Sequence, residues 1–285
     1  MPFPNKLPAL AATAVLAAAS LAVAPASATA GSDNPTARAA AGAAGPKVVH
    51  LHSNDRKVVA SDTRFRPGVT EFRVGRTTSR GTSLLIIQSD NLQAAFGKFQ
   101  KAINGGPGSA DAMKAFDRMV TIYSGGESGA RWQVRLGRGS YYVIDTKTNK
   151  MTTLTVKGPR RHATMVRPDS RVWATKQNQF ETSGDLAGPW VSFANHAREI
   201  HFLDAGRVEE STTPKDVQEA LTSPKQPKWV LPGGFHLEVE SPGVRTVHFQ
   251  NVRAGKYLLI CWMPSEEQDG VPHAMMGMWS LVPGV

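Results

Sequence analysis

One order of sequence elements occurs twice along the chain, and this repeat limits the folds that are open to it. The first copy holds the segments RPGVTEFRV (66–74), TSLLIIQ (82–88) and SGGESGARWQVRLGRGSYYVIDT (124–146). The second holds GPWVSFAN (188–195), IHFLDAG (200–206) and PGGFHLEVESPGVRTVHFQNVRAGKYLLICW (232–262). Each copy gives two strands, a helix, a Gly-Gly turn, further strands and a Gly-x-Tyr start of an apolar strand. The repeat therefore predicts two similarly folded halves.

Three helices are predicted, at 90–103, 109–120 and 213–222. The last has the clearest start signal, because Thr213 can cap it, Pro214 suits the first helical position and an acidic residue follows in the first turn. The remaining elements are short strands with alternating apolar and polar residues, bounded by Gly and Pro.

This pattern predicts an all-β chain of two β-sandwich domains with short helical insertions. The domain boundaries are predicted at 47–160 and 169–285. The linker between them lies near 157–169, in the segment KGPRRHATMVRPD.

The N-terminus has the layout of a secretory signal peptide. Lys6 precedes an alanine- and leucine-rich run, and residues 28–30 (ATA) form a small-x-small cleavage site. A transmembrane anchor is the alternative, but Ser and Pro residues interrupt the run before it reaches the ~20 apolar residues of a membrane span. Residues 1–30 are therefore predicted to be removed, residues 31–46 to form a flexible leader, and the mature protein to be secreted without a transmembrane span.

The chain is basic, with a formal net charge of +10 that falls to +9 without Lys6. The cationic residues are scattered rather than clustered in a nucleic-acid-binding motif, so no nucleic-acid partner is expected. Two readings of the charge stay open: attraction to anionic cell-surface polymers, or a solvated surface with no specific partner.

Soft metal ligands gather near the C-terminus. Cys261, the only cysteine, ends the strand KYLLIC, His273 follows in a loop, and Met278 comes five residues later. Two His, one Cys and a weak axial Met form a copper-binding set. His201 is the best candidate for the second histidine, because it opens a strand six residues after Asn195.

At these residues the chain resembles the cupredoxin family of blue-copper proteins. The resemblance is carried by VSFANHAREIHFLD, AGKYLLIC and PHAMMGM, covers most of 169–285, and extends in outline to 48–157. It implies a Greek-key β-sandwich in each half. It also implies His201, Cys261 and His273 as equatorial copper ligands, Met278 as the axial ligand, and electron transfer with a redox or copper-exchange protein partner.

One departure from the family pattern keeps two further functions open. Eleven residues separate Cys261 from His273, whereas family members have only a few there. A buried cysteine without metal would leave a cupredoxin-like interaction module. Alternatively, His273 and four methionines could hold Cu(I) for storage or delivery; these are Met263, Met275, Met276 and Met278. The eleven-residue insert is expected to turn at Asp269-Gly270 and to leave the edge of the site partly open.

The first half repeats the scaffold without the ligands. Asp145 stands where the second half has Cys261, and Leu84 or Leu85 stands where it has His201. The segment 47–160 is therefore predicted to be a structural or binding module.

Other chemistry is not indicated by the sequence. Known hydrolase, phosphate-binding and dinucleotide-binding motifs are absent from it, so no enzyme activity is expected. Five other histidines are predicted to be exposed or solvated. His50 and His52 share one strand face, which could alternatively bind a metal weakly; His196 lies in a turn, and His236 and His248 lie on polar strand faces.

Overall fold

The structure is a computed structural model that describes residues 45–54, 56–75, 82–223 and 227–285. The predicted signal peptide, and all of the predicted leader except its last two residues, lie outside the described residues. Among the described helices, none is long and apolar enough to cross a membrane.

The first half contains nine strands and two helices. They are β1 (Lys47–Ser53), β2 (Val58–Ala60), β3 (Arg64–Phe65), β4 (Gly68–Val74), β5 (Ser83–Ser89), α1 (Leu92–Ile103), α2 (Ser109–Met119), β6 (Val120–Glu127), β7 (Arg131–Leu136), β8 (Gly139–Asp145) and β9 (Lys150–Val156).

The second half repeats this order with one helix. It consists of β10 (Ser170–Ala174), β11 (Phe180–Thr182), β12 (Trp190–Asn195), β13 (His201–Val208), α3 (Pro214–Thr222), β14 (Val230–Glu240), β15 (Arg245–Phe249), β16 (Gly255–Ile260), a short 3-10 helix (His273–Met276) and β17 (Trp279–Gly284).

All three predicted helices are confirmed within two residues at each end. The side chain of Thr213 accepts the backbone N–H of Asp216, and the Asp216 side chain accepts the backbone N–H of Thr213 in return. This capping box satisfies two N–H groups that an α-helix leaves without partners at its start. Local sequence signals thus fix where α3 begins.

The strands form two sheets that run through both halves. Their orders are β11-β10-β12-β15-β7-β4-β1-β2 and β17-β16-β13-β14-β6-β5-β8-β9-β3. Apart from the extra strand β3, each order is mirrored about its centre, so the halves meet edge to edge. The predicted fold class, all-β sandwiches with short helical insertions, is confirmed, whereas the domain boundaries stay a prediction.

The two halves are joined in both sheets. In the first sheet β15 pairs with β7 over three residue pairs, from Thr246–Val134 to His248–Trp132. In the second sheet β14 pairs with β6 where Glu240 lies opposite Tyr123, and the Ser241 N–H donates to the Ile122 carbonyl oxygen at 3.0 Å.

The two Gly-Gly pairs do not form turns, and this prediction was wrong. Gly125 lies inside β6 and Gly234 inside β14. A Cβ at Gly125 would lie 2.0 Å from the Leu84 carbonyl oxygen, and one at Gly234 would lie 2.4 Å from that of Ala205. Glycine is needed here because the backbones of neighbouring strands come too close for any side chain.

His248 is buried rather than solvated, which corrects a second prediction. Its Nε2 lies 3.1 Å from Ser124 Oγ and 2.8 Å from Thr246 Oγ1, and its ring stacks on Trp132. Thr246 also donates a short hydrogen bond to the fully buried Glu240. These polar side chains face inward because the junction covers strand faces that would be exposed in an isolated half.

Burial raises the pKa of Glu240 well above its usual value and lowers that of His248 to about 3. His248 is therefore neutral at pH 7, and burial favours the protonated form of Glu240.

The hydrophobic core consists of one cluster inside the first half and a larger cluster that spans both halves. A cluster around Phe72, Trp132 and Val143 fills the first half. A larger cluster runs from α1 and α2 of the first half into the second half, where it includes Phe193 and Cys261. The two helices of the first half therefore pack toward the corner of the second half that holds the candidate ligands.

Candidate metal centre

Three of the four predicted ligands meet in one buried corner of the second half. His201 is the first residue of β13, Cys261 directly follows β16, and His273 begins the 3-10 helix. β13 and β16 are neighbours in the second sheet, which brings the first two side chains together. All three residues are 0% exposed.

The donor atoms are spaced as a metal ion requires. Cys261 Sγ lies 3.6 Å from His201 Nδ1 and 3.7 Å from His273 Nδ1. With metal–nitrogen and metal–sulfur bonds of about 2.0 and 2.3 Å, sulfur and nitrogen are about 3.5–3.7 Å apart at tetrahedral to trigonal angles. In the described part of the chain, this is the one group of three His, Cys, Asp or Glu side chains with ligand atoms within 4.8 Å of one another.

Glu199 fixes the orientation of His273. His273 Nε2 donates to Glu199 Oε2 at 2.9 Å, which turns Nδ1 toward Cys261. Burial would raise the pKa of Glu199, but the hydrogen bonds from His273 and from the Glu266 backbone N–H lower it to about 2. Glu199 is therefore an anion, and a carboxylate behind a histidine is a common support for a metal ligand.

Burial lowers the pKa of His273, but its contacts with Cys261 and Glu199 outweigh this effect and raise the pKa to about 9. In the metal-free chain, a proton on Nδ1 consequently faces the sulfur. A metal ion has to displace that proton in order to bind.

Asn178 connects the two histidines. Its Nδ2 donates to Glu199 at 3.3 Å, so its Oδ1 is the atom that accepts His201 Nε2–H at 3.2 Å. This network leaves the lone pair of His201 Nδ1 toward Cys261. Burial and the neighbouring His273 lower the pKa of His201 well below its usual value, which keeps the ring neutral.

The side chain of Asn195 supports the site by binding backbone groups around it. Its side chain donates to the Glu199 and Glu240 carbonyl oxygens at 2.8 Å each and accepts the Ala197 backbone N–H at 2.9 Å. The turn between β12 and β13 is thereby held in place, with Glu199 and His201 at its end. Sequence reasoning missed the roles of Asn178 and Glu199, since neither stands in a recognisable motif.

Met278 is held beside Cys261 by backbone hydrogen bonds. The Cys261 N–H donates to the Met278 carbonyl oxygen at 3.3 Å, and the Met278 N–H donates to that of His273 at 2.9 Å. Met278 is 1% exposed, whereas Met275 is 43% exposed. Met278 therefore lies in the core beside Cys261, and its role as the axial ligand stays a prediction.

The insert between Cys261 and His273 closes the corner. Asp269 and Gly270 both have positive φ, 46° and 78°, which confirms the predicted turn. The turn packs on the helices of the first half: a Cβ at Gly270 would lie 3.0 Å from Ser109 Cβ and 3.3 Å from the Ala102 carbonyl oxygen. The expectation of a partly open site edge was wrong, because α1 and α2 offer the insert a surface to cover.

A carboxyl pair joins the insert to α2. Burial, followed by the neighbouring Glu266 and Glu199, raises the pKa of Asp117 to about 8. Burial also raises the pKa of Glu266. Asp117 is therefore largely protonated at pH 7 and can donate a hydrogen bond to Glu266.

The corresponding corner of the first half is closed by its own polar groups. Ser53 forms a short hydrogen bond with Asp145, which also accepts the Lys147 backbone N–H at 2.9 Å. The pairing of Leu85 with Ile144 corresponds to that of Asp204 with Ile260. By this register, the counterpart of His201 is Thr82 rather than Leu84 or Leu85, because it lies three residues before Leu85 as His201 does before Asp204.

The other histidines lie elsewhere. His50, His52 and His196 are exposed, as predicted, and His236 is partly exposed. None of them belongs to the buried donor group formed by His201, Cys261 and His273.

Comparison with known proteins gives matches among solved structures only. No family model matches the chain, and no curated protein matches it. Among solved structures, it is similar to a reduced auracyanin from Roseiflexus castenholzii, with 16% identity over 40% of this chain and 94% of that one and a TM-score of 0.26. Auracyanin A from Chloroflexus aurantiacus, a "blue" copper protein, matches with 12% identity over 40% of this chain and 96% of that one (TM-score 0.25).

A larger protein matches across both halves. The McoA multicopper oxidase from Aquifex aeolicus has 10% identity over 83% of this chain and 65% of that one (TM-score 0.21). These structures include the blue-copper class that the sequence resembles. Their scores describe likeness only, so the function proposed below rests on the contacts of the site.

Proposed function

We propose that this chain is a secreted copper-binding protein of cupredoxin type that transfers electrons. His201, Cys261 and His273 would hold one copper ion through Nδ1, Sγ and Nδ1, with Met278 as a weak fourth ligand. The observation that carries this proposal is the convergence of the three buried donor atoms, with sulfur–nitrogen distances of 3.6 and 3.7 Å. When bound, copper would supply one-electron redox chemistry.

The donor types favour copper over other metals. Thiolate and thioether sulfur are soft ligands, and two His with one Cys and a weak axial Met is a copper set. The carboxylate nearest the site, Glu199, is bound to His273 Nε2 and so supports the histidine on the side away from the sulfur. Hard cations such as Mg²⁺ or Ca²⁺ would lack the oxygen ligands that they prefer.

The closed surroundings favour a resident ion over one in transit. Both Nε2 atoms are already hydrogen-bonded, by Asn178 and Glu199, and all three ligands are fully buried. A Cu(I) storage or delivery role is the second candidate function, and Met263 supports it, because its carbonyl oxygen accepts the His273 backbone N–H and its side chain is buried. Met275, by contrast, is exposed.

Titration with copper separates the candidate functions. The full chain, purified under reducing conditions and freed of metal, would be titrated with Cu(II) and, without oxygen, with Cu(I). We expect one copper per chain and strong visible absorption from a thiolate–Cu(II) bond. A colourless sample that binds Cu(I) would instead support storage or delivery. Failure to bind either ion would leave the metal-free interaction module.

Two variants make the titration specific. Cys261→Ser removes the thiolate and should abolish the absorption. His196→Gln changes an exposed histidine in the turn before β13 and should leave the titration unchanged. Loss of the absorption in both variants would contradict the assignment of the ligands.

Secretion and the absence of enzyme activity belong to the same proposal. Secretion rests on the signal-peptide pattern of residues 1–30, and N-terminal sequencing of the exported protein should find cleavage after Ala30. Since one copper ion is proposed per chain, we expect no oxygen-consuming oxidation of phenols or metal ions by the copper-loaded protein. Oxygen consumption above that of Cys261→Ser would contradict this expectation.

A further inference from the structure

A second site lies in the segment that connects the two halves. Residues 160–164 line a cavity of about 490 Å³ together with Arg135 of β7. Arg160, Arg161 and His162 are among its lining residues, and none of the lining residues is acidic. Several cationic residues around one cavity repel one another and attract an anion.

The connecting segment is fixed in place. The Arg161 backbone N–H donates to the Pro67 carbonyl oxygen at 2.8 Å, and its guanidinium donates to that of Val69 at 3.1 Å. The Val166 N–H donates to the Gln133 side chain at 2.9 Å. Arg161 is therefore held against β4, and the end of the segment is held against β7.

One guanidinium nitrogen of this segment has no protein partner. Arg161 Nε is buried and makes no hydrogen bond with the residues that the structure describes. Burial, together with the nearby Arg66, lowers the pKa of Arg161. An anion in the cavity would supply a countercharge for this guanidinium group.

Further cations continue from the cavity. Arg138 donates to the Gly158 carbonyl oxygen at 3.1 Å, and a Cβ at Gly158 would lie 3.8 Å from Arg66 Cγ. Among the described residues, no carboxylate oxygen lies within 4.0 Å of the guanidinium nitrogens of Arg66, Arg138 or the arginines that line the cavity. Glu71, a buried carboxylate on β4, is already bound by Arg73 and Arg131.

We propose that this cationic cavity binds phosphate groups of an anionic polymer. Arg135, Arg160 and Arg161 would hold one phosphate group inside the cavity, and Arg66 and Arg138 would contact the next groups along the chain. Arginine suits this role because its planar guanidinium pairs with phosphate oxygens through two parallel hydrogen bonds. The polymer is favoured over free phosphate because the cations extend beyond the cavity. This site is independent of copper.

Binding would be measured by calorimetry with inorganic phosphate, with a linear polyphosphate and with heparin, a sulfated polymer. We expect polyphosphate to bind most tightly, and its affinity to fall steeply between about 50 and 200 mM salt. Equal affinity for inorganic phosphate would overturn the polymer in favour of a free-phosphate site. Tighter binding of heparin would overturn the preference for phosphate.

Variants locate the binding. Arg135→Gln and Arg160→Gln change exposed side chains, so the fold should be retained, and each should weaken polyphosphate binding roughly tenfold, the loss of about one charge-assisted hydrogen bond. Arg171→Gln removes an exposed arginine on β10 and serves as the matched control. Equal effects of all three variants would show that only net charge matters and would overturn the site.

Discussion

The corner around Asp145 in the first half and the corner around Cys261 in the second half are built from equivalent strands. The polar atoms of the two corners nevertheless have different partners. Asp145 bonds to Ser53 and to the Lys147 N–H, and β9 begins only five residues later, at Lys150. In the second half, Cys261 faces two histidine nitrogens, and β17 does not begin until Trp279. The difference teaches that the sandwich alone does not make the site; the third donor comes from the longer connection after the strand.

The largest expected effect separates these two corners directly. Cys261→Ser should weaken copper binding more than about 100-fold, because loss of a ligand exceeds the 10–100-fold typical for loss of a ligand's supporting partner. Asp145→Asn should leave copper binding unchanged. Both variants would be titrated with copper and followed by visible absorption. A change in the Asp145 variant as large as that in the Cys261 variant would contradict the proposed difference between the halves.

Copper should also stabilise the folded chain. At a free copper concentration of 100 times Kd, the free energy of unfolding should rise by about 2.7 kcal/mol, because the unfolded chain lacks the preformed site. Thermal unfolding with and without copper would measure this rise. The Asp145→Asn variant should keep it and Cys261→Ser should lose it; a rise in Cys261→Ser would indicate copper binding elsewhere.

A smaller effect is expected at the support of His273. Glu199→Gln removes the anion that holds His273 Nε2, and copper affinity should fall roughly 10–100-fold. Glu267→Gln, an exposed carboxylate in the insert, is the matched control. Competition with a copper chelator would measure both affinities. Equal copper affinities of the two variants would show that the role assigned to Glu199 is wrong.

The smallest effect concerns the junction between the halves. The pKa of Glu240 is raised in the folded chain, so the folded state binds one more proton than the unfolded state above pH ~4.5, and the stability contributed by this group falls as pH rises. Glu240→Gln cannot ionise, so its stability relative to the natural chain should increase between about pH 5 and 8. Denaturant unfolding across this range would test it; parallel pH profiles would show that Glu240 is not protonated in the fold.

Much of the site was predictable because its donors differ chemically from their surroundings. A lone cysteine at a strand end, followed by His273 and Met278, indicates soft-metal binding from residue types alone. Helix α3 was predictable for a similar reason, since Thr213 and Asp216 act within one turn of each other.

What the sequence did not reveal depends on distant contacts. His248 and Glu240 look like residues of solvated strand faces, and only the pairing of β15 with β7 and of β14 with β6 buries them. The closed site edge likewise requires Gly270 to meet α2, far away in sequence. Glycine pairs indicate turns in most contexts, but here they allow neighbouring strands to approach closely. Local sequence patterns do not distinguish these two uses of glycine.

The insert between Cys261 and His273 has a consequence for hydrogen exchange. It rests on α1 and α2 of the first half, where a Cβ at Gly270 would lie 3.0 Å from Ser109 Cβ, and it ends at the proposed ligand His273. Backbone amides exchange through local opening, and packed segments that share contacts open together. A metal ion bound through His273 would therefore slow exchange in the first half as well, although every proposed ligand belongs to the second.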